Sequence, residues 1–487
     1  MTGATAAESR LSAMDAMFLH AETERTHMHV AITAVLDGGT LVNRLGSVDI
    51  DRIRAHVAAR LRLIPRYRQR LGAVPFSRRQ IWVDDDRFNI AYHVRHVSLP
   101  RPGDEKQLRL LAGRIKSQQL DREKPLWEMF VVEGLRGHRF AVVIKTHHCM
   151  LDGVSGADLL AVLLGVEPQA SPDAAAPFLP RPVPTWPELI AADALWRIRE
   201  PLEFARSAAS SPRDAFKRLT KSLRAVTDLL PSAFKRAMPS PFNRPVGPHR
   251  RFDWLEMDLG SIRDIKARLG GTVNDVVLAI VSGAVRRFLQ HRDEAVDTGV
   301  FRALVPVSVR DSSDQGMLGN RVAAWIADLP IAEPDPSRRL RALQETTVEL
   351  KRTEQTVAAN LLTGMAGWAG SSLLSNGVQL VLRARPFNLI ITNVPGPQCP
   401  LYLLDAKITE VYPQVPLFTE QGLGIALFSY DGKLFWGFNA DYDLVPDLAE
   451  FTKAVDASHR ELRVAAGLEI EQAHPLPSLR SIARRSG

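Results

Sequence analysis

Apolar positions along this chain alternate in some stretches and recur at helical spacing in others, which predicts an interleaved series of strands and helices. Val30 to Leu36 and Ile81 to Asp84 read as strands, while Val48 to Arg62 and Glu105 to Leu120 carry Leu, Ile and Val at helix spacing. A short strand around Phe130 to Glu133 leads through Leu135-Arg136-Gly137-His138, a hairpin turn, into the apolar run Phe140 to Lys145. Beyond Gly153, Val154, Leu159, Leu160 and Leu163 again fit a helix. Pro-rich sequence from Pro168 to Pro187 breaks the pattern, a largely helical basic stretch runs to about Pro239, and Ser240 to Pro248 is a second punctuated segment.

In the second half, Thr272 or Asn274 can cap a helix through Val276, Val277, Ile280, Val281 and Val285 that ends near Arg287. Ala303 to Val309 and Phe387 to Asn393 are strand-like, the latter running into the breaker Pro395-Gly396-Pro397. Leu423 to Tyr430, Asp431-Gly432 and Lys433 to Asn439 form a hairpin, because a two-residue Asp-Gly turn matches the twist of antiparallel strands. Both halves therefore read as α+β units, and no repeat at solenoid spacing is present.

At 487 residues the chain exceeds the size at which one core usually stops growing. The expected division is an N-terminal domain over 1–180, a basic, largely helical connection over 181–245 and a C-terminal domain over 246–487. Hydrophobic residues at 45% and charged residues at 24% fit a globular protein with a sizeable core. Cys149 and Cys399 are the only cysteines, too few for a disulfide framework and not spaced for a zinc ribbon, which points to a reducing cytoplasm. Met1 to Arg10 has no secretory pattern, and the apolar stretch Val276 to Val285 is half the roughly 20 residues a membrane span needs.

The chemistry-bearing stretch is His147-His148-Cys149-Met150-Leu151-Asp152-Gly153, which closes an apolar strand and places an imidazole where that strand runs out. A neutral imidazole can take a proton from a hydroxyl near pH 7, so acyl transfer is the first chemistry to consider, with His148 as the base. Side chains alternate along a strand, so His147 and His148 are expected to face opposite ways, with His147 in support. Asp152 can orient His148 directly or lock the turn through an arginine, for which Arg310 is the candidate; Gly153 permits close backbone passage. The spacing alone leaves an acid–base pair, a hydrogen-bonded core cluster and a metal site all open, although no His-Glu-x-x-His or Cys-x-x-Cys accompanies it. Gly153-Val154-Ser155-Gly156-Ala157 departs from the Gly-x-Ser-x-Gly elbow, which disfavours an acyl-serine, and Cys149 reads as a packed side chain. For the oxyanion, Asn274 in Gly271-Thr272-Val273-Asn274-Asp275 can donate an amide hydrogen or can serve only as a helix cap. Ser429 is a weaker candidate.

With these residues in view, the chain resembles the bacterial wax ester synthase/acyl-CoA:diacylglycerol acyltransferase family. The resemblance runs from Leu11-Ser12-Ala13-Met14-Asp15-Ala16-Met17-Phe18-Leu19 through Pro125-Leu126-Trp127-Glu128, the His147 to Gly153 motif, Pro248-His249-Arg250-Arg251 and Thr272 to Val277. It continues in Pro306 to Arg310, Leu318-Gly319-Asn320-Arg321, Asn388 to Pro397 and Gly422 to Asp443. It implies two chloramphenicol-acetyltransferase-like domains of the coenzyme A-dependent acyltransferase fold enclosing a channel. The catalytic histidine falls on His148 and the important asparagine on Asn274, with Asp275 in support. It further implies acyl-CoA as substrate rather than cofactor, diacylglycerol or a long-chain alcohol as acceptor, no metal, and peripheral association with the inner face of the membrane or with lipid droplets. Ala13 and Arg244 depart from the commonest family wording, at proline and glycine respectively, and touch no proposed catalytic group. A polyketide-derived or sugar-linked acceptor, and a weakly active lipid-droplet interaction protein, remain alternatives.

The formal net charge is +8, and from Arg197 to His249 there are 11 Lys or Arg against 4 Asp or Glu. Nucleic-acid binding lacks any accompanying module, and Gly270-Gly271 is no dinucleotide fingerprint. Phe216, Leu219, Leu223, Val226 and Leu230 recur at helix spacing with Lys217, Arg218, Lys221 and Arg224 between them, a pattern that suits either an anionic lipid surface or a solvated face on the protein. Reversing these four charges is expected to reduce binding to anionic liposomes in a flotation assay; unchanged binding would sink the lipid reading.

Overall fold

Two buried apolar clusters organise the chain around two six-stranded sheets. The computed structural model describes residues 11–75, 80–151, 162–173, 177–195, 206, 236–308, 322–352 and 386–469. The first half runs α1 (Ala13–Ala21), β1 (His29–Asp37), α2 (Ile50–Arg60), β2 (Gln69–Ala73), β3 (Gln80–Asp84), α3 (Ile90–His93), β4 (Val94–Ser98), α4 (Glu105–Ser117), β5 (Trp127–Leu135) and β6 (Arg139–His147). The second half contains β7 (Arg250–Asp258), α5 (Leu259–Leu269), α6 (Val273–His291), β8 (Phe301–Ser308), β9 (Val322–Leu329) and α7 (Pro336–Arg352). It continues with β10 (Leu389–Pro395), β11 (Tyr402–Leu403), β12 (Ala406–Gln414), β13 (Leu423–Tyr430), β14 (Lys433–Asp441) and α8 (Leu448–Ala465). The expected helix after Gly153 falls almost wholly, and the basic stripe from Phe216 to Leu230 entirely, outside the described residues.

The sheets run β11-β12-β1-β6-β5-β4 and β7-β14-β13-β10-β8-β9. Both hairpins read from the sequence are present: Leu135 pairs with Arg139 across a turn in which Gly137 and His138 have positive φ, and Tyr430 pairs with Lys433 across Asp431 and Gly432, both also at positive φ. The strand expected to end at Lys145 continues to His147, and the helix expected to stop near Arg287 continues to His291.

A division of the chain at residue 246 does not follow the sheets. Strands β11 and β12 come from the second half by sequence, yet β12 pairs antiparallel with β1, from Ala31 opposite Gln414 to Leu36 opposite Ile408. The reason is steric as much as hydrogen-bonding. Trp254 of β7 stacks on Tyr412 of β12 with ring centroids 4.6 Å apart, and Gly437 of β14 leaves only backbone under the Pro413 carbonyl. Helix α4 seals the same seam: Ser117 Oγ accepts the Arg250 N–H at 2.8 Å, and the Arg109 guanidinium lies 4.6 Å over Trp254 and 3.0 Å from Asp253.

Two buried asparagines tie the second half together. Asn243 Nδ2 donates to the carbonyls of Asn388 and Glu420 at 2.9 and 3.0 Å. Asn388 Nδ2 donates to the Met238 carbonyl and Asn243 Oδ1, and its own Oδ1 accepts the Arg302 N–H at 2.8 Å. Helix α6 crosses this core almost fully buried from Val276 to Val285. No single described helix is both long and apolar enough to cross a membrane.

A Cβ at position 437 would overlap the Pro413 carbonyl, which is backbone and cannot rotate away. Gly437→Ala is expected to destabilise the protein by about 1–3 kcal/mol, seen as a lower urea midpoint; a wild-type midpoint would show that the two sheets are not in close register there.

Candidate active site

The His147 to Leu151 segment is placed by main-chain bonds on both sides. The His147 N–H donates to the Leu126 carbonyl at 2.9 Å and the His148 N–H to the Met28 carbonyl at 2.7 Å. Strand β6 stops at His147, and His148 to Leu151 form a 3-10 turn. The two imidazoles therefore have different surroundings. His147 is buried, whereas His148 is part-exposed and stacks on the Phe18 ring of α1, with centroids 3.8 Å apart and planes 24° apart. Burial pushes the His148 pKa down to about 4, and the positive charge His147 can carry pushes the same way. The ring is accordingly neutral near pH 7, the form a general base requires.

Cys149 is a packing residue: its side chain is buried in the first core and burial raises its thiol well above the ordinary range, far from a thiolate nucleophile. Its backbone has a specific partner, since the Cys149 N–H donates to His147 Nδ1 at 3.2 Å. Asp152, Gly153 and Arg310 lie outside the described residues.

Behind the histidine pair lies a buried charged cluster that sequence reading did not single out. Glu22, the residue after α1, places Oε1 3.2 Å from His29 Nε2 and Oε2 3.6 Å from His147 Nε2. Arg122 reaches the same carboxylate, with Nε 3.1 Å from Oε2. Burial alone would raise the Glu22 carboxyl; the facing His147 and His29 overcome this and hold it well below the usual carboxylate range. Lys116 Nζ donates to the His29 carbonyl, and Lys145 Nζ lies 3.0 Å from Glu128 Oε2. Glu22 and Phe18 fall in or beside the N-terminal block of sequence, but nothing in their spacing foretells contact with residues more than a hundred positions away.

At the start of α6 the cap belongs to Thr272. Its hydroxyl accepts the Asp275 N–H at 3.2 Å, and Asp275 Oδ2 takes both the N–H and the hydroxyl of Thr272 at 2.8 Å. Asp275 Oδ1 accepts the Thr347 hydroxyl at 2.8 Å, which ties α6 to α7. Asn274 sits in the first turn, half-buried, and its side chain takes no part in the cap. Ser429 Oγ is instead turned to the Pro395-Gly396-Pro397 segment, accepting the Gly396 N–H at 3.2 Å. Among the described residues no three His, Cys, Asp or Glu side chains gather as a metal-binding group.

Comparison with known proteins gives this geometry a setting. A family described as the wax ester synthase/diacylglycerol acyltransferase catalytic domain matches residues 11–277, and its C-terminal domain matches residues 318–463. A putative diacylglycerol O-acyltransferase of Mycobacterium tuberculosis is 34% identical over 456 residues, covering 91% of this chain and 88% of its own. The solved wax ester synthase/diacylglycerol acyltransferase of Marinobacter aquaeolei VT8 superposes with a TM-score of 0.67 at 25% identity, over 94% of this chain and all of that one. The trichothecene 15-O-acetyltransferase of Fusarium sporotrichioides, at 12% identity and a TM-score of 0.58 over 93% and 95% of the two chains, shares the fold.

Because the fold holds His148 with a pKa of about 4 against 6.5 for a free side chain, the unfolded chain binds the extra proton between these values. The contribution of neutral His148 to stability is thus full above pH 6.5 and falls as pH drops toward 4. His148→Gln is expected to flatten that part of the pH–stability curve, measured by urea unfolding at pH 5 and 7. An unchanged pH difference would show that His148 titrates normally.

Proposed function

The chain belongs to the wax ester synthase/diacylglycerol acyltransferase family, and on that premise we propose that it transfers a long-chain acyl group from acyl-CoA to diacylglycerol, a long-chain alcohol or both, with His148 as the base. The observation that carries the reading is the neutral, part-exposed imidazole at the end of β6, in a chain of this family. The acceptor hydroxyl gives its proton to His148 as its oxygen bonds to the thioester carbonyl carbon. The resulting tetrahedral oxyanion collapses with cleavage of the carbon–sulfur bond, and the protonated His148 returns its proton to the departing CoA sulfur. Oxygen attack and sulfur departure balance without a covalent acyl-enzyme or an added cofactor, and acyl-CoA is a substrate.

Asn274 is assigned to the oxyanion or to substrate positioning, supported by its side chain being spared by the Thr272 cap. Asp152 and Arg310 are assigned as the pair that locks the turn, with Gly153 giving the backbone room and Asp275 fixing the α6 start; the first three assignments rest on the sequence. Peripheral lipid contact draws support from Leu179, Trp186 and Leu195, which are 83%, 70% and 59% exposed just before the basic stretch.

His148→Ala is expected to lower turnover by about 10²–10⁴-fold with the protein still folded, measured as CoA release from palmitoyl-CoA with paired panels of linear alcohols and diacylglycerols. Undiminished ester output would end the assignment, and the panel identifies the acceptor. Asn274→Ala should reduce kcat without lowering the melting temperature, whereas Thr272→Ala should cost about 1 kcal/mol of stability. Loss of stability in Asn274→Ala would return that residue to a structural role.

A further inference from the structure

We propose that Glu22 is a positioning residue for the acyl-transfer step, holding the catalytic turn from behind through His147 and its ring neighbour Phe18 through the end of α1. The inference rests on His148 being the base. Three contacts carry it. Glu22 closes α1, its N–H donating to the Phe18 carbonyl at 3.2 Å, and Phe18 is the ring stacked on His148. Its side chain is 1% exposed and its carboxylate faces His147 Nε2, while His147 Nδ1 accepts the Cys149 N–H. In the neutral ring this leaves the proton on Nε2, which faces the carboxylate at 3.6 Å, so one tautomer and one ring orientation suit both neighbours.

A buried carboxylate without partners is costly, and here the partners come from separate segments: Arg122 between α4 and β5, which donates to Oε2, and the imidazoles of His29 on β1 and His147 on β6, which lie 3.2 and 3.6 Å from it. The carboxylate therefore sets the relative position of α1, β1 and the His148 turn. Without it, His147 loses the partner that fixes its ring, the Cys149 N–H loses a fixed acceptor, and the helix end carrying Phe18 loses its anchor. None of these groups needs to touch substrate. The arrangement resembles the way a carboxylate orients a histidine in other sites, except that the oriented ring supports the base instead of being it.

The test uses the purified full chain, palmitoyl-CoA and whichever of hexadecanol or dipalmitoylglycerol supports turnover, with His148→Ala measured alongside. Glu22→Gln is expected to lower kcat roughly 10- to 100-fold, with both KM values within about threefold of wild type. Glu22→Asp keeps the charge and is expected to recover a substantial part of that loss. If Glu22→Gln fails to fold, Glu22→Gln with Arg122→Gln removes the buried carboxylate together with the part-exposed guanidinium paired to it and is read in its place. Wild-type kcat in the Gln variant, or a raised KM with kcat unchanged, overturns the inference while an inactive His148→Ala leaves the base assignment standing. An active His148→Ala overturns both.

Discussion

The His148 turn can do chemistry because two strangers in sequence, Met28 and Leu126, accept the backbone N–H groups of His148 and His147. Those bonds end β6 at a fixed place between β1 and β5. A one-residue slip would turn every side chain of β6 to the other face. The alternation of β6 resists that slip, since Phe140, Val142 and Ile144 face one side of the sheet while Val143, Lys145 and His147 face the other. Lys145, buried against Glu128 and the carbonyls of Ile115 and Gln118, and His147 against Glu22 both have partners only in this register. Strand register and site geometry are thus one constraint.

The same economy appears where the halves meet. Strand β12 leaves the second half to pair with β1, so the sheet that carries the histidines is completed by residues more than 250 positions later. Trp254, Tyr412, Arg109 and Asp253 form one stacked and ion-paired seam across this junction.

Glu22 shows how electrostatics adds to this frame. A carboxylate at 1% exposure remains charged only with compensating groups around it, and those facing Glu22 are two imidazoles and the guanidinium of Arg122. The His148 ring in front is neutral because it is desolvated against an aromatic ring, while the Glu22 carboxylate behind stays charged because imidazoles and a guanidinium face it.

By itself the sequence determined the local elements whose causes are local. Period-2 alternation marked β1 and β6, Gly137 and Asp431-Gly432 marked the two hairpin turns through their positive-φ requirement, and the Thr272 to Asp275 run marked the start of α6. The His147 to Gly153 motif marked the candidate chemistry and, with the other blocks, the family. Tertiary structure alone decided that β12 crosses to the first sheet and that Glu22 and Phe18 meet the histidine pair. Propensity and spacing act over a few residues, whereas strand pairing, ring stacking and the neutralising of a buried charge depend on which distant surfaces the fold removes from water together.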